Sequence, residues 1–212
     1  MAEWLNLTFG GFDRAILEFM HGLAESCGGF LTPLMKLITL VGEKGLWMFV
    51  LAAVLICFKK TRKIGVCLFG AVCCGALITN VLLKDQIARL RPFEWDPALY
   101  GEWWKAVGSP AEDGFSFPSG HVTAAMAGVT ALVLSWRKKW MPLAFLYVVV
   151  MAFSRNYLMA HFPSDVLVAI LVGAFSGIAA WFITKGIFAL LEKYRSNRFF
   201  AFLLDFDLMR KK

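Results

Sequence analysis

Charged side chains are scarce in this sequence. They make up 17% of its 212 residues, while hydrophobic side chains make up 59%. A typical soluble domain has about 25% charged and about 45–50% apolar residues. With so little polar side chain to cover so much apolar surface, lipid must take the place of water over much of the molecule. The mean hydropathy of +0.65 agrees. Cysteine supplies no framework either. The five thiols (Cys27, Cys57, Cys67, Cys73 and Cys74) are an odd number, and the last four lie in apolar runs. Their spacing fits neither a disulfide set nor a zinc site, so they are expected to be small buried hydrophobes. No basic segment precedes an apolar stretch at the N-terminus, which carries Glu3, Asp13, Arg14 and Glu18. A cleavable secretory signal is therefore not expected. There is no repeat, low-complexity stretch or linker, which leaves one domain. The net charge of +7 would suit nucleic acid, but its placement argues otherwise.

About 20 apolar residues cross a bilayer, with about 17 as the lower limit. Five segments approach or meet that length: 44–58, 64–83, 119–136, 140–158 and 165–184. Upstream, Phe12, Ile16, Phe19, Met20 and Leu23 recur at helical spacing, with Asp13, Arg14 and Glu18 on the other face. That pattern predicts an interfacial amphipathic helix. A sixth span is the alternative, an imperfect one because Pro33 and Lys36 interrupt the apolar stretch downstream. The expected fold is an all-α polytopic transmembrane bundle of five to six spans. It divides into an N-terminal region (1–43), a membrane domain (44–191) and a basic tail (192–212).

Basic residues are unevenly shared among the connections. Lys59, Lys60, Arg62 and Lys63 separate the first two spans, Arg137, Lys138 and Lys139 the third and fourth, and seven more follow from Lys185. The other side holds only Lys84, Arg89, Arg91, Lys105 and Arg155. The positive-inside rule puts the first set in the cytoplasm and the 84–118 loop outside. Trp95, Tyr100, Trp103 and Trp104 in that loop suit the headgroup layer. The 93–117 segment is a candidate lid over any site there, or an interfacial loop with no ligand contact.

Three charged clusters end these spans, and ionisable residues at membrane depth are costly and usually functional. In the first, Lys84 and Arg91 are seven apart and would share a helix face two turns long. Two cations there make a site for an anion, or two side chains that snorkel to the interface. Asp85 is expected to pair with Arg89 at i, i+4. The second cluster, Pro118-Ser119-Gly120-His121, has the composition of a helix start, where free N–H groups favour an anion. An ordinary cap by Ser119 is the plain alternative. In the third, Arg155 precedes His161 and Asp165. The latter two are spaced i, i+4, so the carboxylate would hold one ring nitrogen and leave the other free to attack. The acidic residues of the 84–118 loop are scattered, with no carboxylate cluster suited to a metal. His21 matches no motif.

The order K-x6-RP, PSGH and SR-x5-H-x3-D resembles the type 2 phosphatidic acid phosphatase superfamily at every signature position, over about residues 64–184. The resemblance implies a lipid phosphate phosphatase of the plasma membrane with an extracytoplasmic site. Lys84, Arg91, Arg155, Ser119 and Gly120 would bind phosphate. His161 would become a phosphohistidine, Asp165 would orient it, and His121 would serve as acid and then base. It implies no metal or other cofactor and no nucleic-acid partner. The implied substrate is a lipid phosphate held in the bilayer, undecaprenyl diphosphate ahead of phosphatidylglycerophosphate or phosphatidate. Vanadium haloperoxidases share the motifs, but they are soluble, unlike this composition. A non-catalytic lipid-binding or transport protein would need no nucleophile, and here both histidines are present. The sequence leaves the oligomeric state open.

Overall fold

The computed structural model describes residues 1–208; the last basic residues of the expected tail, Arg210, Lys211 and Lys212, lie outside the described residues. Every element among the described residues is a helix. The α-helices in chain order are α1 (Ala2–Val41), α2 (Leu46–Ile56), α3 (Arg62–Ala76), α4 (Lys84–Ile87), α5 (Pro92–Trp95), α6 (Tyr100–Ala106), α7 (Gly120–Trp136), α8 (Phe145–Tyr157), α9 (Pro163–Lys193) and α10 (Arg198–Asp205), with short 3-10 turns at Glu43–Gly45 and Met141–Ala144. A π-helical stretch, Leu77–Leu83, joins α3 to α4.

Each of the five apolar segments carries a helix. Two helical runs are long and apolar enough to cross a membrane, Arg62–Trp95 and Pro163–Lys193. Helices α1 and α2, bent by 44° at their junction, add a third if they count as one span. The others are shorter: α2, α7 and α8 have 11, 17 and 13 residues.

Helix α1 differs from expectation. It runs unbroken for 40 residues, with Pro33 inside it and Lys36 within its last two turns. At about 1.5 Å per residue it is about 60 Å long, twice the thickness of a bilayer's hydrocarbon core. Its C-terminal half packs on α8, where Thr32 and Tyr157 share a hydroxyl–hydroxyl hydrogen bond of 2.8 Å. Its N-terminal half carries Asp13, expected on the solvated face but buried.

The helices close on one another through small residues. Helix α7 lies along α9 at Gly173 and Gly177, where a Cβ would come within 2.7 Å of Thr123 O and 2.8 Å of Ala127 O. Membrane helices associate by such close backbone approach because lipid offers no hydrophobic drive. Leu171, Phe175 and Phe182 on the outer face of α9 are more than half exposed. Met48, Leu68, Val72, Val122 and Met151 fill the centre of the bundle. A second cluster, with Leu17, Tyr100, Tyr157 and Phe162, caps the end where α1 and α6 meet the turn after α8.

The cysteines depart from expectation. Only Cys67 is buried; Cys27 and Cys73 are exposed and Cys57 and Cys74 half-buried, all as free thiols. Cys73 lies on the outward face of an apolar helix, where lipid can cover it as protein would.

Candidate active site

The first cluster is built by a broken helix. Helix α4 stops at Ala88, which has φ 50°. A non-glycine residue in this left-handed region costs about 1–2 kcal/mol. The break means that Lys84 and Arg91 do not share a helix face, yet both line one cavity of about 800 Å³. It also separates Arg89 from Asp85, so the expected pair does not form. Arg89 instead turns inward, where it donates to Asp13 at 2.8 Å, Asp165 at 2.5 Å, Ser164 Oγ at 2.8 Å and Asn6 Oδ1 at 2.8 Å. Its guanidinium also lies 4.0 Å above the Phe162 ring centre. The favourable contacts of Arg89 offset the strain at Ala88.

Helix α7 starts with Ser119 at the N-cap, but its side chain makes no capping bond. Ser119 Oγ is buried and has no hydrogen-bond partner among the described residues. The ordinary-cap alternative is thus not realised, and the hydroxyl is available to an oxyanion beside the N–H groups of α7. Gly120 and His121 line the same cavity.

His161 also lines it, on the turn between α8 and α9. It precedes α9, whose first residue is Pro163, so His161 and Asp165 are not stacked on one helix. The Asp165 carboxylate accepts from Phe162 N–H at 3.0 Å and from Ser116 Oγ at 2.5 Å. His161 Nδ1 meets the Ser116 carbonyl at 2.7 Å and Ser116 Oγ at 3.4 Å. A carbonyl only accepts, so Nδ1 carries the proton and Nε2 keeps a lone pair. Asp165 therefore reaches the ring through Ser116 rather than directly. Burial, reinforced by Arg91, Arg155, His121 and Lys84, pushes His161 well below the ordinary imidazole value of 6.5. The ring is neutral, as a nitrogen nucleophile must be.

Arg155, fully buried at the end of α8, pairs with Glu112, which lines the cavity, but neither Arg155 nor Ser119 is itself among the lining residues. One Glu112 oxygen pairs with Arg155 and the other with Arg91 at 3.1 Å. Arg91 further donates to the carbonyls of Ala160 at 2.8 Å, Asp113 at 2.8 Å and Gly114 at 2.9 Å. Arg155 Nε is buried without a partner among the described residues. Lys84 and Arg91 line the cavity, and Arg155 shares Glu112 with Arg91, a concentration of positive charge whose chemistry suits an anion.

Sequence reasoning missed Ser116, Glu112, Asp13 and the role of Arg89. No spacing rule marks Ser116, and Glu112 looks like one more scattered acid. Only folding brings Asp13, 152 positions upstream of Asp165, to the same guanidinium. Outside the site, His21 stacks on Trp103 at 4.7 Å and pairs with Glu25 at 3.5 Å, as a structural histidine would. Of the aromatic residues in the 84–118 loop, Trp95 is exposed and Trp103 and Trp104 are half-buried. Tyr100 is buried. Trp104 stacks on Phe93 at 4.4 Å and donates to Pro110 O at 3.2 Å.

Known proteins give this arrangement a family. Residues 64–188 match the PAP2 superfamily. The undecaprenyl-diphosphatase of Sulfolobus acidocaldarius is 33% identical over 145 residues, 68% of this chain and 66% of that protein. The lipid A 4'-phosphatase of Bacteroides thetaiotaomicron is 26% identical over 85% of this chain and 80% of its own length. The crystal structure of a transmembrane PAP2-type phosphatidylglycerolphosphate phosphatase from Bacillus subtilis superposes with a TM-score of 0.62. It is 27% identical and covers 93% of this chain and 92% of that one. With its membrane-length helices and membrane-embedded relatives, the protein is a multi-pass membrane protein. Its matched segment takes in all three charged clusters and more than half of its length, and the chain belongs to the PAP2 superfamily.

Proposed function

We propose that this protein is a phosphate-ester hydrolase that dephosphorylates a membrane lipid phosphate through a phosphohistidine on His161, with undecaprenyl diphosphate as the favoured substrate. The observation that carries the reading is the Ser116 carbonyl on His161 Nδ1, 2.7 Å away, which leaves Nε2 unprotonated in a cavity shared with Lys84, Arg91 and His121. Nε2 attacks the terminal phosphorus while its bond to the leaving oxygen breaks, the bridging oxygen of a lipid diphosphate or the ester oxygen of a lipid monophosphate. His121 gives its proton to that oxygen, then takes one from water as the water attacks the phosphohistidine. The N–P bond breaks, and orthophosphate and free His161 result. Lys84, Arg91 and Arg155 stabilise the equatorial oxygens, the main requirement of phosphoryl transfer. Ser119 Oγ and Gly120 N–H complete the cradle, and Asp165 steadies His161 through Ser116. No metal or cofactor enters the scheme.

The choice of substrate leans on the Sulfolobus relative, named as an undecaprenyl-diphosphatase. Phosphatidylglycerophosphate is the second reading, supported by the Bacillus structure that covers nearly the whole chain. The charge distribution supports a plasma-membrane location with the site outside. The basic 59–63 loop and the 137–139 turn lie at the helix ends opposite the three clusters. In detergent, wild-type protein should release orthophosphate from a panel of lipid phosphates, and His161→Ala should not. In right-side-out vesicles, release should follow addition of short-chain lipid phosphate to the outside. Undiminished release by a folded His161→Ala protein would refute the mechanism, and release only from inverted vesicles would refute the sidedness.

A further inference from the structure

The phosphate cradle already holds an anion, and the chain supplies it. Glu112 spans the two guanidinium groups that the proposed reaction needs, with one oxygen on Arg155 and the other 3.1 Å from Arg91. Its side chain is only 9% exposed, so the carboxylate has little water around it. Two guanidinium donors on two carboxylate oxygens is the geometry by which arginines hold a phosphate.

The surrounding segment is shaped to deliver this carboxylate. Residues 108–116 run along the cavity without helix or strand. Gly108 and Gly114 have φ of 80° and 63°, at either end of the stretch that carries Glu112. Lys36 of α1 donates to Gly108 O at 3.4 Å, and Trp104 holds Pro110 O. Arg91 fixes the carbonyls of Asp113 and Gly114. Pro110, Ala111, Glu112 and Asp113 all line the cavity. The strap is thus tied down at points on both sides of Glu112, and Arg91 both fastens it and belongs to the cradle.

We infer that Glu112 is an internal competitor that occupies the phosphate subsite until a phosphate dianion displaces it, and so sets how strongly the site holds its product. This rests on the phosphatase reading of the same site. A displaceable carboxylate weakens every anion by the same factor, the fraction of time the subsite stands open. A lipid phosphate is concentrated at the site by its hydrocarbon chain and still enters. Free orthophosphate has no anchor, so the same factor leaves it too weakly held to block the site, and the product departs.

The test is inhibition of purified protein by orthophosphate and by vanadate, comparing wild type with Glu112→Gln. If the carboxylate fills the subsite about nine-tenths of the time, both anions should inhibit the variant about tenfold more strongly. Two buried guanidinium groups lose their counterion in this variant, so reduced stability has to be told apart from altered binding. A second readout does so: orthophosphate should raise the melting temperature of Glu112→Gln more than that of wild type. Equal inhibition constants and equal thermal shifts in the two proteins would overturn the role of Glu112 and leave the phosphatase reading standing. If neither protein binds either anion, the phosphatase reading falls, and this inference with it.

Discussion

Two ionic clusters sit at opposite ends of the helices and use the same chemistry to different effect. At the site end, Arg89 joins Asp13 and Asp165, all three fully buried. At the other end, Asp205 of α10 joins Lys59 at 2.7 Å and Arg195 at 2.7 Å, with side chains 34–51% exposed. Buried charge is held in place because any one member left alone would be an uncompensated ion away from water. Exposed charge is screened and exchanges partners with solvent at little cost. The buried cluster therefore fixes geometry: it ties α1 to the start of α9 and holds the carboxylate that steadies Ser116. The exposed one only supports the docking of α10, which depends more on Arg62. That residue donates to the carbonyls of Leu203 at 2.9 Å and Leu204 at 3.0 Å.

Breaking the buried cluster should have the largest effect. Arg89→Ala strands Asp13 and Asp165 together, and removing one partner of a buried ion pair costs about 3–5 kcal/mol. We expect a large fall in melting temperature in detergent and loss of phosphate release. A variant that melts like wild type would show that the cluster does not hold α1 in place.

Loosening its connection to His161 should do less. Ser116→Ala keeps the backbone carbonyl that sets the His161 tautomer but removes the hydroxyl between Asp165 and the ring. Loss of one buried hydrogen bond, about 1–3 kcal/mol, predicts a fall in kcat of about tenfold or somewhat more, with KM little changed. The pH profile separates positioning from titration. His161 lies below its ordinary value, so it is neutral at pH 6.5 and takes a proton only at lower pH. The acid limb of kcat/KM should therefore fall below pH 6.5 in wild type and stay there in Ser116→Ala. An acid limb at or above that ordinary value in wild type would count against a buried neutral nucleophile.

The smallest effect belongs to the exposed cluster. Asp205→Ala should leave both melting temperature and turnover unchanged, although Asp205 makes short contacts with two basic residues. The Asp205 carboxyl is held below the usual range by Lys59 and Arg195, an effect confined to a solvated surface. Loss of turnover in this variant would mean that the far end communicates with the site, and the contrast between the two clusters would collapse.

Composition and spacing alone were enough to read the lipid surroundings, the helical class and five of the residues that line the cavity. Each comes from local properties: the length of apolar runs, and three motifs short enough that chain connectivity alone keeps their residues close. Lys84, Arg91, Gly120, His121 and His161 meet in one cavity, although the break at Ala88 replaces the continuous helix expected for the first pair. Which groups bind one another emerges from the packing of distant segments. The i, i+4 spacing pointed Asp165 at His161, but a proline start to α9 leaves His161 outside the helix and puts Ser116 between them. Asp85 looked like the partner of Arg89 until Ala88 turned the chain and gave that guanidinium to Asp13 and Asp165. Glu112 has no local signature at all, because its partners lie 21 residues before it and 43 after it. Spacing predicts contacts only while the backbone stays regular. Where it breaks, a buried charge takes whichever opposite charge the packing brings within reach, since staying unpaired away from water costs more than any local preference can supply.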